Sequence, residues 1–296
     1  MNPFRAVGVI GKRREPDRPL IDELCRTLQR LGCEVLLENN AALRSDLPLR
    51  RADRATLAAE CELVVIVGGD GTLLDAGRSL ADSSVPLLGI NQGRLGFMVD
   101  VAPESMHEHL AAIVSGEYEM EDRLVLSAVI SRGGRRDDIR RLAVNDVVIR
   151  NQATIRMIEF QTWMDDEFIS HHRADGVIVA SPTGSTAYAL SGGGPLLHPS
   201  LSAMVMVPIC PHTLSDRPIV VGGDRAIRIV ISGVDRAQAM ATFDGQTSET
   251  LEPEDMVEIR RAPHPLRLIH PKGYSYFRIL RDKLRWGSGP DTPRER

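Results

Sequence analysis

Leu63 to Leu74 read Leu-Val-Val-Ile-Val-Gly-Gly-Asp-Gly-Thr-Leu-Leu. Leu63 to Val67 is a short, wholly apolar run, the composition of a strand buried on both faces of a parallel sheet. It passes directly into Gly68, Gly69, Asp70, Gly71 and Thr72, and apolar residues at helical spacing resume with Leu73 and Leu74. Glycines at such a junction permit a tight turn and bring backbone N–H groups close to a ligand. The helix that follows points its positive end at the same spot, which suits phosphate. Gly68, Gly69, Gly71 and Thr72 are therefore candidate phosphate-binding residues. Asp70 sits in the middle of that cradle, where a carboxylate would repel phosphate. Either it caps the helix in solvent, or it holds a cation or takes a proton from an attacking hydroxyl, as phosphoryl transfer requires.

The alternation of strand and helix extends to both sides. Ala6 to Ile10 reads as a strand. Leu20, Ile21, Leu24, Leu28 and Leu31 recur at helical spacing until Gly32. Cys33 to Leu37 and Pro86 to Ile90 are further strands, and Met106 to Val114 is a helix. Repeated units of this kind predict an α/β domain, a parallel sheet with flanking helices. Ligands of such sheets lie outside the C-terminal ends of the strands. The 68–72 turn and the loop Asn91-Gln92-Gly93-Arg94-Leu95-Gly96-Phe97 are therefore expected to flank one crevice.

From about Tyr118 the pattern becomes β-type. Val125 to Ser131, Leu142 to Arg150, Ile155 to Met164, Ile227 to Ile231, Ala239 to Phe243, Met256 to Ile259 and Leu266 to Ile269 read as strands. Gly133-Gly134, Asp165-Asp166 and Asp244-Gly245 are turn signals between them. A mostly antiparallel, all-β C-terminal domain is expected. Gly176 to Ser181 is a strand followed by a helix over Pro182 to Leu190. Tyr276, Phe277, Leu280 and Leu284 again stand near helical spacing. The expected division is 1–121 for the α/β domain and 122–270 for the β-rich domain, with 271–290 packing back on the first. Residues 287–296 read as a disordered tail.

At 296 residues, 43% hydrophobic and 26% charged, the chain suits two globular domains with sizeable cores. Its net charge of −4 argues against nucleic acid or an anionic membrane as partner. No apolar run approaches the roughly 20 residues of a membrane span, and the first residues lead into a strand, not a signal peptide. Cys25, Cys33, Cys61 and Cys210 show no CxxC spacing and read as buried thiols of a cytoplasmic protein.

Three further clusters carry chemistry. Asn145-Asp146 interrupts an apolar strand, so the pair either caps a bulge or reaches a ligand such as a sugar hydroxyl or an adenine amino group. Arg173 to Tyr188 ends a strand in Ser181-Pro182-Thr183-Gly184-Ser185-Thr186, whose small hydroxyl residues suit a nucleotide, with the Tyr188 ring for a base. Ser191-Gly192-Gly193-Gly194 is a second glycine cluster able to approach phosphate. Asp244-Gly245-Gln246 reads by itself as a hairpin turn. There is no GxxxxGK[ST] loop, no complete GxGxxG fingerprint and no GxSxG elbow. Ser181 and Ser185 have no base nearby in sequence, and His171-His172 has no partners at metal-ligand spacing.

Together, Gly68 to Thr72, Asn91 to Phe97, Asn145-Asp146 and Asp175 to Gly194 resemble a bacterial NAD kinase of the ATP-NAD kinase family, from about Val7 to Leu284. Gly-Gly-Asp-Gly-Thr alone is shared with lipid kinases, and a near variant with phosphofructokinases. Ser-Pro-Thr-Gly-Ser-Thr-Ala-Tyr with the Asn-Asp pair is far more specific. The resemblance implies transfer of the γ-phosphate of ATP to the adenosine ribose 2′-hydroxyl of NAD, with Mg²⁺ or another divalent cation accompanying ATP, at a site between the two domains. It implies Asp70 as the catalytic base and Gly71 beside it on NAD. Asn91, Phe97, Asn145, Asp146, Arg156, Arg173, Asp175, Thr183, Thr186, Ala187, Tyr188, Ser191 and Gln246 are then nucleotide contacts, with Gly192 and Gly193 on phosphate. Arg173 is a feature of ATP-preferring relatives, and the family forms homodimers or homotetramers. Two other readings remain open: a lipid or sugar-phosphate kinase of the same superfamily, and a non-catalytic NAD(P) sensor.

Overall fold

The structure, a computed structural model, describes residues 3–13, 17–93, 96–133, 138–152, 157–213, 215–232 and 239–285. The chain forms two compact units: Met1–Glu121 with the segment from Arg267 onward, and Asp122–Leu266.

In the first unit the chain runs β1 (Ala6–Gly11), α1 (Arg18–Arg30), β2 (Glu34–Glu38), β3 (Arg50–Ala52), α2 (Arg54–Glu60), β4 (Leu63–Gly68), α3 (Asp70–Leu80), β5 (Leu87–Asn91), α4 (Met106–Val114) and β6 (Tyr118–Arg123). Asp17 starts α1 by accepting the Leu20 N–H at 3.1 Å. The apolar stripe Leu20, Ile21, Leu24 and Leu28 then packs into a core with Val7, Val9, Val65, Val67 and Leu110.

The β-type region follows as β7 (Leu126–Ser131), β8 (Ile139–Ala143), β9 (Asp146–Asn151), β10 (Ile158–Met164), β11 (Glu167–Ala174), β12 (Gly176–Ala180), α5 (Tyr188–Ser191), β13 (Ala203–Ile209), β14 (Ile219–Gly222), β15 (Ile227–Ser232), β16 (Ala239–Phe243), β17 (Thr247–Leu251) and β18 (Met256–Arg261). Last come β19 (Leu266–Pro271) and α6 (Tyr276–Leu284).

The first unit's sheet has the order β3-β2-β1-β4-β5-β19-β6, and its pairs from β3 through β19 run parallel. β4 is buried along its whole length, as its unbroken apolar run requires. β19 differs from expectation. Leu266 to Ile269 reads as part of the β-rich domain, yet Leu268 and Ile269 pair in parallel with Leu87 and Leu88 of β5. Its buried Leu266, Leu268 and Ile269 fit an interior parallel strand.

The second unit holds two six-stranded antiparallel sheets, β11-β10-β15-β18-β7-β8 and β14-β13-β12-β9-β16-β17. Their facing sides share one core, with Phe160, Ile229 and Val257 from the first and Val147, Ile149, Val179 and Phe243 from the second. The outer side of the second sheet carries Val148, Ile178 and Ala180 beneath Ala189 and Leu197. The single strand expected over Leu142 to Arg150 is two. It breaks at Val144-Asn145, and its halves, β8 and β9, belong to different sheets.

Candidate active site

β2 and β4 flank β1 on opposite sides, so the turn after β4 lies where strand order reverses, the ligand-binding point of open α/β sheets. Gly68 pairs with Asn91, and the Gln92 N–H donates to the Gly68 carbonyl at 3.2 Å. The two loops expected to flank one crevice therefore meet.

Asp70 opens α3 without capping it. The N-cap is Gly69, with no side-chain capping bond. The Asp70 carboxylate instead reaches the 96–99 loop. Oδ2 accepts the Phe97 N–H at 2.8 Å, and Oδ1 accepts those of Met98 at 3.1 Å and Val99 at 3.3 Å. A carboxylate offers about four lone-pair sites, so these three bonds leave one for a hydroxyl. Gly96 makes the approach possible, since a Cβ there would lie 2.1 Å from Asp70 Oδ1. Gly68 is needed because a Cβ would lie 2.5 Å from Thr72 Oγ1, whereas one on Gly69 would meet nothing within 4 Å. The turn thus uses its glycines for close approach and open space, since neither Gly68 nor Gly69 is left-handed. Asn91 is buried and donates from Nδ2 to the Gly93 carbonyl at 3.1 Å.

The second unit carries a cavity of about 340 Å³ lined by Asn145, Asp146, Ala187 and Tyr188, and also by Val148, Arg150, Thr242, Asp244 and Gly245. Asp244 and Gly245 have φ of 52° and 62°, the left-handed pair of a tight hairpin. From that turn Asp244 clasps the strand break: Oδ2 accepts the Val144 N–H at 3.1 Å, and Oδ1 accepts those of Asn145 at 2.7 Å and Asp146 at 3.2 Å. Asn145 Oδ1 is buried with no hydrogen-bond partner among the described residues. An orphaned acceptor in a cavity wall suits a ligand N–H or O–H. Asp146 is buried, and burial, followed by the nearby Asp244 charge, pushes its carboxyl up to about 7.

The hydroxyl-rich segment supports this wall from behind. Ser181 Oγ donates to the Val144 carbonyl at 2.5 Å, and the Ser181 N–H to the Asn145 carbonyl at 2.9 Å. A Cβ on Gly184 would lie 2.1 Å from that same Asn145 carbonyl. Ser185 Oγ bonds the Pro182 carbonyl, Thr186 Oγ1 the Thr183 carbonyl, and buried Thr183 meets Arg123 Nη1 at 3.4 Å. These back-bonds compete with helical geometry. In place of a helix over Pro182 to Leu190 there is a 3₁₀ turn at Thr183–Thr186, a break at Ala187 and the single turn α5.

Other expected contacts fall outside the cavity. Arg173 is exposed on β11, with Nε 3.9 Å from Glu159, and Asp175 is exposed beyond it. Gly176 pairs with Arg150 and Ala180 with Asp146, so Asp175 stands at the far end of β12 from Ser181. Ser191 ends α5, and Gln246 is exposed in the hairpin turn. The N–H groups of Gly192, Gly193 and Gly194 donate to the carbonyls of Tyr188, Leu190 and Ala189. That cluster terminates α5 and packs on Val207, so its N–H groups are committed within the chain. Arg156 lies outside the described residues. His172 does have an acidic neighbour, far away in sequence: its Nδ1 is 2.9 Å from Asp216 Oδ2, and its Nε2 2.9 Å from Thr162 Oγ1. Val148, Arg150 and Thr242 were not singled out from sequence. Strand alternation from Asp146 places Val148 and Arg150 on its face, and that was the available signal.

The ATP-NAD kinase N-terminal domain model matches residues 7–118, and the C-terminal domain model residues 144–271. The NAD kinase of Polaromonas naphthalenivorans is 45% identical over 97% of this chain and 98% of its own. That of Teredinibacter turnerae is 43% identical over 97% and 99%. Among solved structures, an Archaeoglobus fulgidus NAD kinase in complex with ATP matches with a TM-score of 0.74 at 27% identity, over 95% of this chain and 98% of that one. Yeast NADH kinase complexed with NADH shares the fold, with a TM-score of 0.88 at 24% identity over 98% and 90%. With both domain models matched and full-length relatives alike from end to end, the chain belongs to the NAD kinase family of phosphotransferases.

Proposed function

We propose that the chain phosphorylates the adenosine ribose 2′-hydroxyl of NAD, taking the γ-phosphoryl group of ATP to make NADP. The observation that carries this reading is the Asp70 carboxylate, fixed by the N–H groups of Phe97, Met98 and Val99 at the head of α3. Its remaining lone pair accepts the proton of the 2′-hydroxyl as the oxygen attacks phosphorus. Gly68 to Thr72 and the helix N-terminus receive phosphate. A pure sensor has no need of a carboxylate in that position.

Asn145 Oδ1 and Asp146 take the nucleotide's N–H and O–H donors, Tyr188 stacks on adenine, and Arg150 takes a phosphate of the dinucleotide. Thr183, Ser185 and Thr186 act behind them by holding the wall. Arg173, Asp175, Ser191 and Gln246 are assigned to NAD by family resemblance alone. Among the described residues no group of three His, Cys, Asp or Glu could hold a metal ion. We place Mg²⁺ or another divalent cation with ATP, where phosphates supply most ligands and the ion offsets phosphate charge. No helix among the described residues is long and apolar enough to cross a membrane; we place the chain in the cytoplasm as a homodimer or homotetramer. Exposed Ile219 and Val220 on the edge strand β14 offer apolar surface for self-association.

The test couples Mg-ATP and NAD to an NADP-specific dehydrogenase. Asp70→Asn is expected to fold and bind NAD while kcat falls about 10²–10⁴-fold. Full turnover in that variant removes Asp70 from the chemistry. Product from a lipid or sugar, but none from NAD, assigns a different acceptor.

A further inference from the structure

Within the first unit, His270 of β19 is 1% exposed and stands between two carboxylates. Its Nδ1 is 3.0 Å from Asp100 Oδ2, its Nε2 is 3.3 Å from Glu121 Oε2, and its ring stacks on Tyr274 at 3.8 Å. The neighbours of Asp100 make this arrangement relevant to chemistry. On one side is Val99, whose N–H is among the three that hold Asp70. On the other is Val101, locked to β5 through the Asn91 N–H to Val101 carbonyl bond at 2.7 Å and the Val101 N–H to Gly89 carbonyl bond at 3.3 Å. The Gly96 N–H closes the loop onto the Val99 carbonyl at 3.0 Å. The strip from Gly96 to Val101 is thus pinned at one end by β5, while Asp100 anchors it by a side chain.

That anchor depends on His270. The other oxygen of Asp100, Oδ1, is buried and has no hydrogen-bond partner among the described residues. Without the imidazole, Asp100 would be a part-buried carboxylate with neither oxygen partnered, a costly arrangement relieved by moving the loop. Movement of the loop carries the N–H groups of Phe97, Met98 and Val99 away from Asp70.

We propose that His270 is a positioning residue for phosphoryl transfer: through Asp100 it holds the 97–99 backbone where that backbone orients the Asp70 carboxylate. The inference rests on Asp70 being the base. His270 touches no substrate, and its effect is on the aim of the carboxylate. Misplacing a reacting group by about 1 Å costs on the order of 10²-fold in rate.

The experiment compares His270→Leu, His270→Asn and the double variant Asp100→Leu/His270→Leu, with Asp70→Asn run alongside. In His270→Leu, kcat is expected to fall at least ~10-fold while KM for NAD and for ATP stays within about twofold. Amide hydrogen exchange at Phe97, Met98 and Val99 is expected to quicken. His270→Asn, which places an N–H donor near Nδ1, recovers most of kcat. The double variant removes the buried charge, so it regains thermal stability but not kcat. Wild-type kcat in folded His270→Leu overturns the proposal, as does a loss shared equally by kcat and both KM values. Recovery of kcat together with stability in the double variant also overturns it. If His270→Leu does not fold, the double variant and His270→Asn carry the same readings. An active Asp70→Asn would sink the base assignment itself. A dead Asp70→Asn beside a normal His270→Leu would sink only the relay.

Discussion

Asp70 and Asp244 make the same local arrangement, each accepting three successive backbone N–H groups, and only their settings separate them. Asp244 sits in a hairpin turn and braces the strand break, so the structural role read for Asp-Gly holds, with a longer reach than the turn alone suggests. Asp70 heads a helix whose first turn has no side-chain cap. Beside the clasp lies a second carboxylate, Asp146, which burial, followed by the Asp244 charge, pushes up to about 7. An unfolded Asp ionises near pH ~4. Between about pH 4 and 7 the folded chain therefore keeps a proton that the unfolded chain has lost, and this group's contribution to stability falls as pH rises through that window. Asp146→Asn should raise stability at about pH 8 by roughly 1–4 kcal/mol and flatten the melting temperature between about pH 5 and 8, as calorimetry would show. An unchanged pH dependence would contradict the burial argument. Arg150 belongs to the same wall. Arg150→Ala should raise KM for NAD about tenfold with kcat within about twofold, the signature of lost ground-state binding in steady-state kinetics.

At the level of elements, strands with unbroken apolar runs were legible: Ala6 to Ile10 and Leu63 to Val67 each fall within one residue of the observed bounds. Short or polar elements such as β3 and β6 were not, because sheet neighbours stabilise them more than composition does. Leu142 to Arg150 looked like one strand because hydropathy is continuous across Val144. The break comes from a carboxylate on the hairpin at Asp244, 100 residues on. The glycine turn was read as bringing backbone N–H groups close to a ligand; within the chain Gly68 instead makes room for Thr72 while Gly69 faces open space, so its glycines divide their tasks, and two substitutions separate them. Gly69→Ala meets nothing within 4 Å and has an ordinary backbone, so it should leave the melting temperature unchanged. Its methyl would enter the space proposed for phosphate and raise KM for ATP. Gly96→Ala, whose Cβ would collide with Asp70 Oδ1 at 2.1 Å, should instead lower kcat. Steady-state kinetics with varied ATP distinguishes the two. Equal effects on KM from both variants would mean that the turn acts as one undivided cradle.

For the molecule as a whole, the least legible feature was where the chain's return begins: 271–290 was expected to pack back on the first domain, but Leu266 to Ile269, assigned to the β-rich one, already completes the first sheet. Leu266, Leu268 and Ile269 look like any β run, and only their long-range parallel pairing with Leu87 and Leu88 assigns them. That topology makes the two units unequal as folding units. Asp122–Leu266 is continuous and closes its own core between two antiparallel sheets. The first unit is discontinuous, and a fragment of residues 1–121 lacks β19 from between β5 and β6, together with α6. An interior parallel strand cannot be omitted without exposing two rows of backbone donors and acceptors and the apolar faces they carry. It would also strip His270 from Asp100, removing the partner of Asp100 Oδ2. A fragment of residues 122–266 should therefore melt cooperatively by circular dichroism, whereas 1–121 alone should show no cooperative transition. Joining 267–285 to the end of 1–121 through a flexible linker should restore one, because the missing strand is then supplied at high effective concentration. A cooperative melt of 1–121 by itself would mean that β19 is an accessory to this sheet and not part of its foundation.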